Sequence, residues 1–368
     1  MAEIRVRNLH KAFADFVAVK DSTFTVRDGE FFCLLGPSGC GKTTTLRIIA
    51  GLELPTSGHI FLGDEDVSFK RAAQRDIAFV FQLFALYPHM NVRKNIGFPL
   101  LSQGMPRKQI EAKVQEAARV LRIGHLLNQP VSGLSSGDRQ RVALGRAIVR
   151  DPLAFLMDEP LGALDSEFRE LMCQELRGLH DRLKATTVYV THDQLEAMAM
   201  ADTIAIMNHG VVEQMGPPQQ VYEHPASVFV ADFIGSPAMN FLPFAGGFAA
   251  GTTSVPLGNA SLAIPALHEE VSERALLYGV RPEHVHLDPT SKLRAEVLGT
   301  EYLGVNQIVT LATADGTRLR AKLGVQVPAR RGDQVGLTFD AAAVSLFDAT
   351  SGRALATERD PGIGARHG

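Results

Sequence analysis

The sequence predicts an α/β chain: a mostly parallel β-sheet covered by helices on both faces, followed by a smaller all-β domain. Three observations carry this. A short apolar run at residues 31–35 leads into a glycine-rich stretch and then a helical pattern. Further short apolar runs, at 153–157, 187–190 and 204–207, alternate with amphipathic helical segments, the pattern of strands buried on both faces. After about residue 235 helical periodicity fades and short alternating runs take over.

The elements follow in order. Ile4 and Val6, then Phe24 and Val26, alternate as strands do, and Asp28-Gly29 reads as a hairpin turn. Residues 31–35 are a buried strand, and the helix after the glycine-rich stretch stops at Gly51. Residues 106–123 read as a helix: Pro106 suits a first turn, and Ile110, Val114, Ala117 and Leu121 share a face. Residues 166–184 form another, with Phe168, Met172, Leu179 and Leu183 on one stripe. In the last third, 308–314 and 317–323 flank Asp315-Gly316, a strong hairpin signal. Gly235, Pro237 and Pro243 punctuate a boundary at 235–243. The polar, glycine-rich stretch from about 352 is expected to fray. No internal repeat is evident.

Composition sets limits. A chain of 368 residues corresponds to two or three domains at about 150 residues each. With 45% hydrophobic and 21% charged residues it has material for a core and is neither disordered nor fibrous. A net charge of −3 argues against a protein that coats nucleic acid. Three cysteines with no CxxC pair speak against a disulfide scaffold or a cysteine zinc site, and suit a reducing compartment. The N-terminus has charges throughout and no apolar core segment, so it does not read as a secretory signal. No apolar run reaches the 18 residues of a membrane span. Any work at a membrane would go through partners.

Residues 36–43, Gly36-Pro37-Ser38-Gly39-Cys40-Gly41-Lys42-Thr43, match GxxxxGK[ST] between a strand and a helix, the context of a P-loop. Its N–H groups and the helix N-terminus, reached through Thr44, would hold phosphate oxygens. Lys42 would reach the β- and γ-phosphates, and the Thr43 hydroxyl would meet Mg²⁺. The apolar run 153–157 ends in Asp158-Glu159. In this class such an Asp holds Mg²⁺, and the adjacent Glu159 is placed to act as general base on water. His192, after another short strand, is a candidate to contact the γ-phosphate and orient Glu159, and Gln82, after Val80-Phe81, is a further candidate, although spacing alone does not distinguish either from an ordinary surface residue.

An ordered set of motifs narrows the reading. Leu134-Ser135-Ser136-Gly137-Asp138-Arg139-Gln140-Arg141 lies between the P-loop and the Asp-Glu strand. It resembles the LSGGQ signature of ABC-transporter ATPases. The P-loop, Gln82, the Asp158-Glu159 strand, Gly162-Ala163-Leu164-Asp165 (the D-loop) and Thr191-His192-Asp193 (the switch histidine) complete the family order. The segment from Phe233 to Pro243, with Pro237-Ala238-Met239-Asn240, and Tyr278-Gly279-Val280-Arg281-Pro282-Glu283-His284 look like the linker and C-terminal domain of carbohydrate-importer ATPases, the maltose and glycerol-3-phosphate type.

The resemblance implies a P-loop ATPase core over residues 1–235, with a helical subdomain at about 88–150. It implies an OB-like, TOBE-type regulatory β domain over 236–355 and a tail at 356–368. By position, Phe13 would stack on adenine, and Gln82 would sense Mg²⁺ and the attacking water. Ser135 and Gly137 would hydrogen-bond the γ-phosphate of ATP held by another subunit, and Asp165 would communicate across that interface. A working site then needs a second nucleotide-binding subunit, the same chain or a related one. Two transmembrane permease subunits, docked near residues 86–90, and an extracytoplasmic solute-binding protein would complete an importer. The chain would sit peripherally on the cytoplasmic face of the inner membrane. Rival readings are the same ATPase role for an ion, polyamine or polyol, and a permease-free regulatory or repair ABC protein. The linker leans against ions and polyamines. The 368 residues show neither a second cassette nor a coiled-coil insertion. The family pattern has Gly where this chain has Ser136 and Gln where it has Asp138. Asp138 places a carboxylate near a polyphosphate site, unfavourable unless Arg139 or another cation pairs with it.

Overall fold

The computed structural model describes residues 2–82, 84–150, 152–162 and 164–360. It divides into two compact units, up to Pro218 and from Gln219 onward.

The first unit opens with β1 (Ile4–Phe13) and β2 (Phe16–Val26), paired antiparallel. The hairpin turns at Ala14, which has a left-handed φ of 43°. Asp28-Gly29 is not a hairpin turn: it carries the chain from this sheet into β3 (Phe31–Leu35), which belongs to a different one. Gly29, at φ 72°, donates its N–H to Thr186 Oγ1 at 3.0 Å, and this fixes the crossing. Next come α1 (Lys42–Ala50), β4 (Ser57–Leu62), β5 (Glu65–Asp66) and β6 (Ile77–Val80). The small sheet has the order β2-β1-β4-β5.

Three helices follow: α2 (Val92–Ser102), α3 (Arg107–Val120) and α4 (Ser136–Ile148). Glycines let them approach closely. A Cβ at Gly97 would lie 2.9 Å from Ile110, and one at Gly145 3.2 Å from both Ile96 and Leu121. Val114, Ala117 and Leu121 are buried, as the helical stripe predicts, while Pro106 precedes α3 as its N-cap.

The rest of the unit alternates: β7 (Ala154–Asp158), α5 (Ser166–Leu183), β8 (Thr186–Thr191), α6 (Gln194–Met200), β9 (Thr203–Asn208) and β10 (Val211–Gly216). The main sheet runs β10-β9-β3-β8-β7-β6. Its pairings from β9 to β6 are parallel, and β10 closes the edge antiparallel. Strands β3, β7 and β8 are buried along their whole length, so they read as unbroken apolar or Thr-rich runs. β3 lies between β8 and β9, and β7 is the next strand but one. The carboxyl ends of β3, β7 and β8 therefore bring the glycine-rich loop, Asp158-Glu159 and Thr191-His192 to one edge, the usual place for a ligand in such sheets.

The division falls at the first residue of α7 (Pro218–Glu223), which is followed by α8 (Val228–Phe233), ahead of the 235–243 stretch where composition places a boundary. Arg281 explains the difference. Its buried guanidinium donates to Ala231 O at 3.0 Å, to Tyr222 O at 2.8 Å and to Ile234 O, and lies 4.2 Å from the Tyr222 ring centroid. Ten strands follow: β11 (Asn240–Phe248), β12 (Ser254–Leu257), β13 (Ala260–Ala263), β14 (Val271–Val280), β15 (Val285–Leu287), β16 (Arg294–Tyr302), β17 (Asn306–Thr313), β18 (Arg318–Gly324), β19 (Gln334–Phe339) and β20 (Ser345–Asp348). They form antiparallel sheets β11-β14-β20, β12-β13 and β15-β19-β16-β17-β18. The Asp315-Gly316 hairpin is present, with Gly316 at φ 86°. Buried Asn240 of the linker motif exchanges two hydrogen bonds with the backbone of Arg320, at 2.9 and 2.7 Å.

The expected fraying from 352 does not hold as far as residue 360. Ala354, Leu355, Thr357 and Asp360 are buried. Leu355 N–H bonds to Leu346 O at 2.8 Å and Glu358 N–H to Ala266 O at 2.7 Å. Alternating apolar residues, hidden among charges in the sequence, hold this stretch down. The rest of the tail, 361–368, lies outside the described residues.

Candidate active site

The glycine-rich loop leaves β3 and enters α1. Two of its glycines are sterically required. A Cβ on Gly36 would lie 2.3 Å from Met207 O, and Gly41, at φ 106°, would place one 2.4 Å from Ala18 O. α1 has no side-chain cap and no acidic residue in its first turn, so its N-terminal N–H groups and dipole face the loop uncompensated. Lys42 is buried, and its ammonium donates to Gly36 O at 2.7 Å and Pro37 O at 2.9 Å, lying 3.7 Å from Cys40 Sγ. The loop, from Gly36 through Pro37, Ser38, Gly39 and Cys40 to Thr43 and Thr44, is thus wrapped around one cation at a helix N-terminus.

Thr43 Oγ1 donates to Asp158 Oδ1 at 2.9 Å. Asp158 is buried, and desolvation pushes its carboxyl above the ordinary range, partly offset by the Thr43 hydroxyl. A hydroxyl and a carboxylate are the hard oxygen donors that suit Mg²⁺ shared with phosphate oxygens. Among the described residues no cluster of three His, Cys, Asp or Glu could hold a metal by itself.

Glu159, the next residue, has φ 42° while its N–H stays paired to Val190 O at 3.0 Å. A left-handed non-glycine is costly and persists where its surroundings fix it. Here it ends β7 and holds the carboxylate where two other loops meet. Glu159 Oε2 accepts from Gln82 Nε2 at 3.3 Å and lies 3.3 Å from His192 Nδ1. Two residues that follow the ends of other parallel strands, 77 and 33 positions from Glu159, converge on one of its oxygens.

The remaining predicted residues stand elsewhere. Phe13 ends β1, opposite Phe16; the residue is 42% exposed and the Lys11 ammonium sits 4.5 Å from its ring centroid. Ser135 is the N-cap of α4, accepting the Asp138 N–H at 3.2 Å and donating to Asp138 Oδ2 at 2.7 Å. Gly137 is forced by packing: a Cβ there would lie 2.0 Å from the Phe168 ring. Among the described residues no hydrogen bond joins Ser135 or Gly137 to the loop, Asp158 or Glu159. Asp165 caps α5, accepting the Phe168 N–H at 2.9 Å; Ala163 beside it lies outside the described residues. The cation that pairs with Asp138 is Arg141, at 3.5 Å, rather than Arg139.

Sequence reading missed Arg169. Its guanidinium donates to Leu164 O at 2.9 Å and Asp193 Oδ2 at 2.9 Å and faces Glu196 Oε1 at 3.5 Å. It therefore joins the segment before Asp165 to the residue after His192. Glu196 is buried and its carboxyl is pushed up by desolvation, while it accepts the Tyr189 and Thr191 hydroxyls at 2.7 Å each. Arg169 stands one helical turn after Asp165, but its carboxylate partners lie 24 and 27 residues on, so no local spacing marks it.

A lysine cradle at a helix N-terminus, an oxygen pair beside it and a carboxylate steered by Gln82 and His192 define an ATP-hydrolysing cassette. The model for the ABC transporter family matches residues 19–162 and that for the TOBE domain residues 278–347. The chain belongs to the ATP-binding proteins of ABC transporters. It is 45% identical to the trehalose/maltose import ATP-binding protein MalK of Thermococcus litoralis, covering 96% of this chain and all of that one. It is 44% identical to the sn-glycerol-3-phosphate import ATP-binding protein UgpC of Cereibacter sphaeroides, over 96% of this chain and all of that one. The trehalose import ATP-binding protein SugC of Mycobacterium tuberculosis is 44% identical, over 96% of this chain and 98% of that one. Among solved structures, the dimeric ABC transporter cassette MJ0796 superposes with a TM-score of 0.52 at 30% identity, over 58% of this chain and 98% of that one. The protein cbiO1 of Clostridium perfringens gives 0.56 at 27% identity, over 59% and 89%.

Proposed function

We propose that this chain is the ATP-hydrolysing subunit of an importer for a carbohydrate or a related polyol or glycerol phosphate. The observation that carries the chemistry is the Glu159 carboxylate, with Gln82 and His192 each 3.3 Å from one of its oxygens, beside the Lys42 cradle. Residues 36–44 bind the phosphates, and Lys42 exchanges its loop carbonyls for phosphate oxygens when nucleotide enters. Thr43 and Asp158 would hold Mg²⁺, with Gln82 as a further candidate to sense it, and the ion would neutralise phosphate charge. Glu159 takes a proton from the attacking water, and Gln82 and His192 set its direction. Phe13 offers its exposed ring to adenine. Ser135 and Gly137 present the N-terminus of α4 to ATP bound by a second subunit, so the working form is a pair of nucleotide-binding subunits, alike or related.

The names of the relatives support the solute class, and the dimeric cassette supports the pair. Permease subunits receive the work at residues 86–90, and an extracytoplasmic binding protein selects the solute. No helix among the described residues is long and apolar enough to cross a membrane, which suits a peripheral subunit on the cytoplasmic face. The test is reconstitution with the permease subunits and solute-binding protein that co-purify with it. Solute-loaded binding protein should raise ATP turnover. Glu159→Gln should lower it by about 10²-fold or more while a fluorescent ATP analogue still binds. A Glu159→Gln variant turning over at the normal rate would overturn the assignment of the base.

A further inference from the structure

Gln82 is followed by a loop whose backbone has an unusual feature. Phe84 and Ala85 are consecutive non-glycine residues at φ 61° and 46°. Such a pair persists only where neighbours hold it. Arg146 holds it: Nη1 donates to Ala85 O at 2.6 Å and Nη2 to Phe84 O at 2.8 Å, and the guanidinium lies 5.4 Å from the Tyr87 ring centroid. The far end of the loop has a separate anchor. Asn95 of α2, fully buried, accepts the Tyr87 N–H at 2.9 Å and donates to Tyr87 O, Met90 O and Asn91 O at 3.1 to 3.3 Å.

Arg146 stands in the last turn of α4, whose first residue follows Ser135. A helix of 13 residues is a rod about 20 Å long. One of its ends is the Ser135 N-terminus, and the other grips the loop between Gln82 and the 86–90 segment. We propose that Arg146 is a positioning residue that carries movement of α4 into the loop at 84–87, and so ties engagement of Ser135 to the placement of Gln82. The guanidinium suits this because a planar fork serves two adjacent carbonyls at once, which a lysine ammonium does not. Tandem left-handed residues suit it because the loop relaxes to ordinary φ values when the fork lets go. The inference rests on Ser135 and Gln82 acting on nucleotide as proposed above.

The chain contains no tryptophan, so Tyr87→Trp gives a single reporter at the loop. A nonhydrolysable ATP analogue with Mg²⁺ should shift its emission. In Tyr87→Trp with Arg146→Ala the emission should start red-shifted and no longer respond, while the analogue binds within about twofold of the parent. In the otherwise native chain Arg146→Ala should lower kcat by about tenfold with KM for ATP within about twofold, and Arg146→Lys should fall between the two. Arg146→Lys keeps the charge and serves where Arg146→Ala does not fold. A native chain that fails to bind the analogue overturns the nucleotide reading and this inference with it. A chain that binds and hydrolyses ATP, with kcat and emission response unchanged in both Arg146 variants, overturns this inference alone.

Discussion

Burial holds the Asp158 carboxyl above its ordinary value of 3.8, and the Thr43 hydroxyl and Arg47 offset only part of this. The sign of the consequence follows from linkage. A native carboxyl that titrates higher than in the unfolded chain makes the native state bind more protons across the window between the two values. Stability therefore falls as pH rises through that window, and the full penalty stands above it. Asp158→Asn removes the penalty and keeps an oxygen for the Thr43 hydroxyl. The nucleotide-free variant should melt at a higher temperature than the native chain at pH 7, with the gain vanishing as the pH approaches about 3.5. Its Mg²⁺-dependent nucleotide affinity should be lost. A lower melting temperature at pH 7 would contradict this account. The P-loop residues and Asp158 were legible in the sequence because their chemistry needs fixed local spacing. Glu159 was legible beside Asp158, whereas Gln82 and His192 were legible only as part of an ordered set, since nothing local says that three strand ends converge. Arg169 and Arg146 were not legible, because their partners lie tens of residues away and an arginine on a helix usually means only a solvated face.

The element that positions the cradle, α1, is held at its other end by a residue the motif does not contain. Arg75, buried, donates to Ile48 O and Ile49 O at 2.7 Å each, to Lys70 O at 3.0 Å and to Ser68 O at 3.1 Å. Burial pulls its pKa down to about 10, still charged at neutral pH and placed where the helix dipole favours a cation. Arg75→Met leaves four carbonyls with one partner fewer and should cost about 3 kcal/mol in a urea titration. Helix α4 is constrained in a different way. Gly137→Ala drives a Cβ to within 2.0 Å of the Phe168 ring and should cost about 2 kcal/mol by overpacking. Phe168→Leu in the same chain should return most of that stability. If Gly137→Ala costs nothing in a thermal melt, the glycine serves only its proposed phosphate and not the packing. At this scale the buried strands were easy to place, since their apolar runs leave no alternative face. The misplaced hairpin at Asp28-Gly29 shows the limit. A turn signal fixes a local bend, and whether the next strand pairs with the last one depends on tertiary contacts such as Gly29 to Thr186.

One chain supplies one lysine cradle and one Ser135 helix end, and in the proposed assembly each meets its complement on another subunit. The α4 end is atypical here, and its geometry says how. The Ser135 hydroxyl is spent on the Asp138 carboxylate at 2.7 Å, so donating to a γ-phosphate requires that bond to break. The carboxylate favours the N-terminus of α4 and is paired with Arg141 at 3.5 Å, so it is tolerated in the free chain. Facing a polyphosphate, the same charge is repulsive. Ser136 adds a side chain one residue before the packed Gly137. The cradle and Glu159 carry no such change, so the chain is equipped to hydrolyse its own ATP but offers its partner a self-satisfied helix end. Two arrangements meet that description: a slow homodimer, or a heterodimer in which a related subunit supplies the better end. Ser136→Gly with Asp138→Gln separates them from a neutral substitution. The double variant should hydrolyse ATP faster than the native chain when each is purified alone. The expected increase is about tenfold, the worth of one charge-assisted hydrogen bond to the γ-phosphate. It should also associate more strongly with ATP present, read by light scattering. Equal rates and equal association would mean that Asp138 swings away on closing, and that these two positions do not set the choice of partner.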